Sequence, residues 1–77
     1  MSTLASLADL ANGESCIVSG LQSSGDPELR LELLELGFVP GTAVKLVARS
    51  LFGEPLAYEL RGTRIALRKA EAAMVLR

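Results

Sequence analysis

Histidine and tryptophan are absent from the 77 residues, cysteine occurs once, and aromatic side chains make up only 4% of the chain. Without imidazole, and with the single thiol of Cys16, the chain can build neither a disulfide framework nor the usual Cys/His zinc site. The expected compartment is therefore the reducing cytosol. An excess of one charge is also lacking: eight Lys plus Arg against nine Asp plus Glu leave a formal charge of −1. Such a balance offers no field for gripping a phosphate backbone, and nucleic acid is not expected as a partner. Nor is there an 18-residue apolar run, or a basic N-terminus followed by a long apolar stretch, so neither membrane insertion nor export is expected.

The catalytic inventory is equally thin. With no histidine, a serine or Cys16 would need a lysine or carboxylate as its base, and local spacing shows no such pairing. The pairs Asp26/Glu28 and Glu32/Glu35 suit a helix N-terminus and a solvated helix face better than general acid–base work. Cys16 sits in the apolar run Cys16-Ile17-Val18 with no adjacent cation, which favours an inert thiol. No Gly-rich loop leads into Lys-Ser or Lys-Thr, so no phosphate cradle is expected. No enzyme activity, catalytic residue or cofactor is assigned.

What is present is enough hydrophobic material, 49% of residues, for one small core, and the whole chain 1–77 is read as a single domain. At this length only about 60–65% of the unfolded surface can be buried, too little to divide between two cores. Leu4, Leu7 and Leu10, three apart and followed by Asn12-Gly13, suggest a short helical turn. Glu14 to Leu21 reads as a first strand, and Gln22-Ser23-Ser24-Gly25 as a loop. The best helix signal follows: Asp26 as N-cap, Pro27 at the first helical position, Glu28 at the positive end, and Gly37 as a left-handed cap with Pro40 beyond. Leu29, Leu33 and Leu36 form its inward stripe, whereas Leu31 and Leu34 fall roughly opposite, and at least one of them is expected to be exposed in part unless another element or another molecule covers it. Beyond the turn at Pro40-Gly41, Val44, Leu46 and Ala48 alternate inward. Leu51 to Pro55 breaks the pattern, Leu56, Tyr58 and Leu60 resume it, and a tight turn at Arg61-Gly62-Thr63 leads to Ile65 and Leu67. Lys69 to Ala72 is one helical turn, and Met74-Val75-Leu76 a closing strand.

These elements give a mainly β chain: a small SH3-like β-barrel of about five strands with one helix between the first and second. The expected core joins Leu29, Leu33 and Leu36 to Ile17, Val44, Leu46, Tyr58, Leu60, Ile65 and Leu67.

The order of Leu33-Leu34-Glu35-Leu36-Gly37-Phe38-Val39-Pro40-Gly41, Gly53-Glu54-Pro55, Arg61-Gly62-Thr63-Arg64-Ile65-Ala66-Leu67-Arg68 and Glu71-Ala72 resembles the FeoA family from about Leu7 to Leu76. The resemblance implies a cytosolic accessory protein of bacterial ferrous iron uptake, acting beside the membrane transporter FeoB and recruited to the inner face of the plasma membrane. A similar module occurs at the C-terminus of DtxR-type metal-dependent repressors, but no helix-turn-helix precedes it here, which favours the stand-alone member. Two positions depart from the family pattern, Leu51 where proline is frequent and Leu31 where a polar residue is frequent, and both make the surface more apolar.

Leu31, Leu34, Leu51 and Phe52, framed by Arg30 and Arg49, are therefore the expected partner-binding residues, and weak self-association is compatible with such a surface. The competing expectation is a metal-responsive module holding a divalent ion. With no histidine it would rely on carboxylates such as Glu28, Glu32, Glu35 and Glu54, and no tight metal site is assigned. Recognition of proline-rich peptides would need an aromatic groove, yet Phe38 and Tyr58 are expected to be packing residues.

Overall fold

A computed structural model describes residues 5–23 and 25–77, so Leu4 of the opening leucine spacing and Ser24 of the first loop lie outside the described residues. Ser6 caps a 3-10 turn at Leu7–Asp9: its hydroxyl accepts from the Ala8 N–H, and Asp9 in return accepts from the Ser6 N–H. The expected strand from Glu14 to Leu21 is divided into β1 (Ser15–Ile17) and β2 (Gly20–Leu21). The division has a plain cause. The Val18 N–H donates to the Thr42 carbonyl at 2.9 Å, whereas the next N–H, that of Ser19, donates to the Leu76 carbonyl at 2.8 Å. The chain changes pairing partner within one residue.

Helix α1 (Pro27–Leu36) starts and stops where its sequence signals stand, with the Asp26 carboxylate accepting from the Glu28 N–H at 2.9 Å. At its end Gly37 adopts φ 111°, its N–H donates to the Leu34 carbonyl, and the Phe38 N–H reaches back to the Leu33 carbonyl at 3.1 Å. This is a Schellman closure with Leu33 and Phe38 as its buried apolar pair. A Cβ on Gly37 would also stand 3.2 Å from Leu60 Cδ1, so close approach to β4 and backbone angle both favour glycine.

Strands β3 (Ala43–Arg49), β4 (Leu56–Leu60) and β5 (Thr63–Leu67) follow, then α2 (Lys69–Ala72) and β6 (Val75–Leu76). The order β1-β3-β4-β5 makes a four-stranded antiparallel sheet, and β2 pairs separately with β6. The architecture is SH3-like, with six strands in two sheets among the described residues instead of five closing one barrel, and the helix follows the second strand because the first is split.

The core contains Leu7, Leu10, Val18, Leu33, Phe38, Val44, Leu46, Leu56, Tyr58, Leu60, Leu67, Ala72 and Val75, with Leu29 and Ile65 half-buried against it. Three inward assignments are corrected. Ile17 is 57% exposed: the strand alternates, and Val18 takes the inward place as the chain crosses to β6. Leu36 is 41% exposed because Gly37 turns the chain so that Phe38 fills the space below the helix end. Ala48 is exposed because the β3–β4 register slips between Leu46 and Ala48, a bulge that reverses the facing of the last residues of β3.

Candidate partner surface

The long hairpin between β3 and β4 carries the most exposed apolar side chains of the described residues, Leu51 at 98% and Phe52 at 94%. The loop is tied beneath them. The Gly53 N–H donates to the Ser50 carbonyl at 3.0 Å, the Ser50 N–H to the Pro55 carbonyl at 3.3 Å, and the Ser50 hydroxyl to the Glu54 carbonyl. The Glu54 carboxylate accepts from the Lys69 N–H at 2.7 Å, which ties the hairpin to the start of α2. A closed, anchored loop thus holds two adjacent hydrophobic groups out in water, an arrangement that burial in the domain itself does not explain.

Of the two cations expected to frame these groups, Arg49 donates to the Leu10 carbonyl at 2.9 Å and braces the hairpin base against the opening turn. Arg30 is half-buried on α1. Leu31, at 59%, and Leu34 are exposed as expected. The end of α1 meets β4 at Leu60 through Gly37, and the hairpin tip precedes Leu56 at the other end of that strand. Four strand steps of about 3.3 Å separate those ends.

The outer face of the four-stranded sheet was not singled out by sequence. Register places Ser15, Lys45, Glu59 and Arg64 in one row across β1, β3, β4 and β5, with Ile17 and Ala43 paired beside it. An open cleft of about 210 Å³ lies here, lined by Ser15, Lys45, Glu59 and Arg61 among others. The Arg64 guanidinium stands 3.8 Å from the Glu59 carboxylate, a solvent-exposed pair of small energetic weight. The available signal was the parity of β1: Cys16 and Val18 facing in forces Ser15 and Ile17 out.

The chemistry of the remaining groups is quiet. Cys16 is half-buried, and burial pushes its thiol above the ordinary value, with Arg77 opposing and Glu14 adding to the rise. The Glu14 carboxyl is held below its ordinary value, first by the Ala11 N–H it accepts from and then by Arg77 at 3.4 Å. Among the described residues no three His, Cys, Asp or Glu side chains come together as a metal-binding group. Of the carboxylates considered for an ion, Glu28, Glu32 and Glu35 belong to α1, while Glu54 is on the hairpin and engaged with Lys69. No helix among the described residues is long and apolar enough to cross a membrane.

A model of the FeoA domain matches residues 5–76. The chain belongs to the FeoA family. FeoA from Stenotrophomonas maltophilia, described as a prokaryotic SH3 domain protein complexed with zinc, is 37% identical over 92% of this chain and 86% of its own, with a TM-score of 0.83. Iron(II) transport protein A from Clostridium thermocellum is 33% identical over 91% of this chain, with a TM-score of 0.82; the match spans 42% of that longer protein. The repressor likeness is present as well. A manganese-dependent transcriptional repressor shares the fold at a TM-score of 0.81 and 16% identity, over 96% of this chain and 41% of its own. FeoA proteins are associated with ferrous iron transport, and this domain has their fold from end to end of the matched region.

Zinc accompanies the Stenotrophomonas FeoA, but the donor set in this chain does not fit a tight zinc site: there is no imidazole, and its lone thiol has a raised pKa. Calorimetric titration with zinc at neutral pH is expected to show no stoichiometric sub-micromolar site. One such site per monomer would overturn the expectation.

Proposed function

We propose that this FeoA-family chain is a cytosolic, non-enzymatic adaptor of ferrous iron uptake that works by protein–protein contact with a FeoB-type transporter. The observation that carries the reading is the hairpin tip, where Leu51 and Phe52 stand almost wholly in water on a loop tied by its own hydrogen bonds. Leu31 and Leu34, exposed on α1, provide further apolar contact. The Stenotrophomonas relative is described as a candidate activating factor of bacterial ferrous iron transport, a role consistent with an adaptor.

Burial of a Leu or Phe side chain contributes about 1.5–3 kcal/mol, so each apolar anchor lost should weaken a complex roughly tenfold or more. The test is binding of the full chain to detergent-solubilised FeoB from the same cell, with and without guanine nucleotide. Phe52→Ser and Leu51→Ser should reduce affinity by that factor while melting close to the parent. Unchanged binding by both variants would remove the tip from the interface, and no binding by the parent in either nucleotide state would overturn the reading.

A further inference from the structure

Two surfaces of the domain carry opposite charge together with unpartnered apolar groups. On the outer sheet face Lys45 and Arg64 flank the carboxylate of Glu59, Arg61 lines the adjoining cleft with its guanidinium donating to the Thr42 hydroxyl at 3.4 Å, and Ile17 and Ala43 are exposed beside them. Glu14, at the edge of this sheet, is paired with Arg77. On α1 and its cap, Asp26, Glu28, Glu32 and Glu35 stand against the single cation Arg30. At 100° per residue Glu28 and Glu35 share one stripe of the helix, and Leu31 and Leu34 form the stripe next to it.

We infer that the acidic face of α1 docks on the cationic outer sheet face of a second copy of this chain. Dimensions support the match. Lys45 and Arg64 flank Glu59 on neighbouring strands, two inter-strand steps or roughly 10 Å apart. Glu28 and Glu35 are seven helical residues apart, again roughly 10 Å along the axis. A helix laid across the strands sets these carboxylates over the two cations and brings the Leu31/Leu34 stripe, which lies between them along the axis, over the open cleft and the adjoining Ala43. The attraction is between exposed charges, so it is modest and sensitive to salt. The inference shares Leu31 and Leu34 with the transporter reading but makes no use of the hairpin tip, so Phe52→Ser separates the two.

Sedimentation equilibrium of the full chain tests it. The average mass of the parent should rise with concentration at low ionic strength and return to that of the monomer in about 1 M salt, where charges are screened beyond about 3 Å. The double variant Lys45→Glu/Arg64→Glu should remain monomeric, and so should Glu28→Lys/Glu35→Lys. An equimolar mixture of the two should regain association, because each reversed surface then meets its complement. Glu28→Gln/Glu35→Gln, which keeps shape and removes charge, should weaken association several-fold, and Phe52→Ser should leave it unchanged. A parent that is monomeric at every concentration, variants that associate like the parent, a mixture that does not recover, or loss of association in Phe52→Ser would each overturn the inference.

Discussion

Phe38→Ala should remove about 3–5 kcal/mol of folding stability, the usual result of deleting a fully buried phenylalanine. At about 0.05–0.15 kcal/mol per residue, a domain of this length holds roughly 4–12 kcal/mol in total. The variant should therefore unfold at far lower urea than the parent, and a parent at the low end of that range would leave it largely unfolded in buffer. The large effect has two sources. Phe38 fills the space below the end of α1, and its N–H makes the reach back to the Leu33 carbonyl that closes the helix. Truncation leaves the backbone bond in place but removes the side chain that holds this corner against the sheets. Leu33→Ala, its buried partner, should cost about 2–5 kcal/mol by the same cavity argument. Leu36→Ala is the control, because that side chain is 41% exposed and deleting it opens no cavity, so its cost should stay near 0.5 kcal/mol. Urea denaturation followed by circular dichroism separates the three. Equal midpoints for Phe38→Ala and Leu36→Ala would contradict the assignment of the core.

The contrast between Leu33 and Leu36 shows what the sequence could and could not disclose. Signals that act within a few residues were legible. Asp26, Pro27 and Gly37 marked both ends of α1, Pro40-Gly41 marked its turn, and Arg61-Gly62 the β4–β5 hairpin, where both residues take positive φ. Each works through its own backbone angles and hydrogen bonds, so its meaning does not depend on distant chain. The errors arose where a partner far along the sequence decides. Nothing local tells Val18 to pair with Thr42 and Ser19 with Leu76, yet that switch divides the first strand and leaves Ile17 in water. The bulge that exposes Ala48 is likewise a property of the β3–β4 pair. For the candidate surface, the exposure of Leu51 and Phe52 followed from a hydrophobic break between two alternating strands. The place of that loop at the end of β4 opposite the α1 cap, and the structural use of Arg49, required the tertiary fold.

Raising the pH from 10 to 12 should destabilise the domain by about 2 kcal/mol through its single tyrosine. Tyr58 is fully buried on β4, and its hydroxyl donates to the Leu7 carbonyl at 2.9 Å. Burial pushes its pKa up to about 12; the positive charge of Arg49 opposes that rise, while Cys16 and Asp9 add to it. In the unfolded chain the phenol ionises near pH 10. Between those values the unfolded state sheds a proton that the folded state keeps, so stability falls with rising pH at up to about 1.4 kcal/mol per unit and levels off beyond the folded pKa. Since no other tyrosine and no tryptophan is present, absorbance of the phenolate reports Tyr58 alone. Tyr58→Phe should abolish this part of the alkaline slope. It should also cost about 0.5–1.5 kcal/mol at neutral pH, because the Leu7 carbonyl loses the phenol's hydrogen bond and keeps only that of the Leu10 N–H. The raised thiol of Cys16 adds a smaller loss of the same sign in both proteins, so the difference between parent and variant isolates the phenol. Urea midpoints measured from neutral pH to 12 should converge as the tyrosine ionises. A constant gap across that range, or a phenol that titrates near 10 in the folded protein, would show that Tyr58 is not held as the buried donor described here.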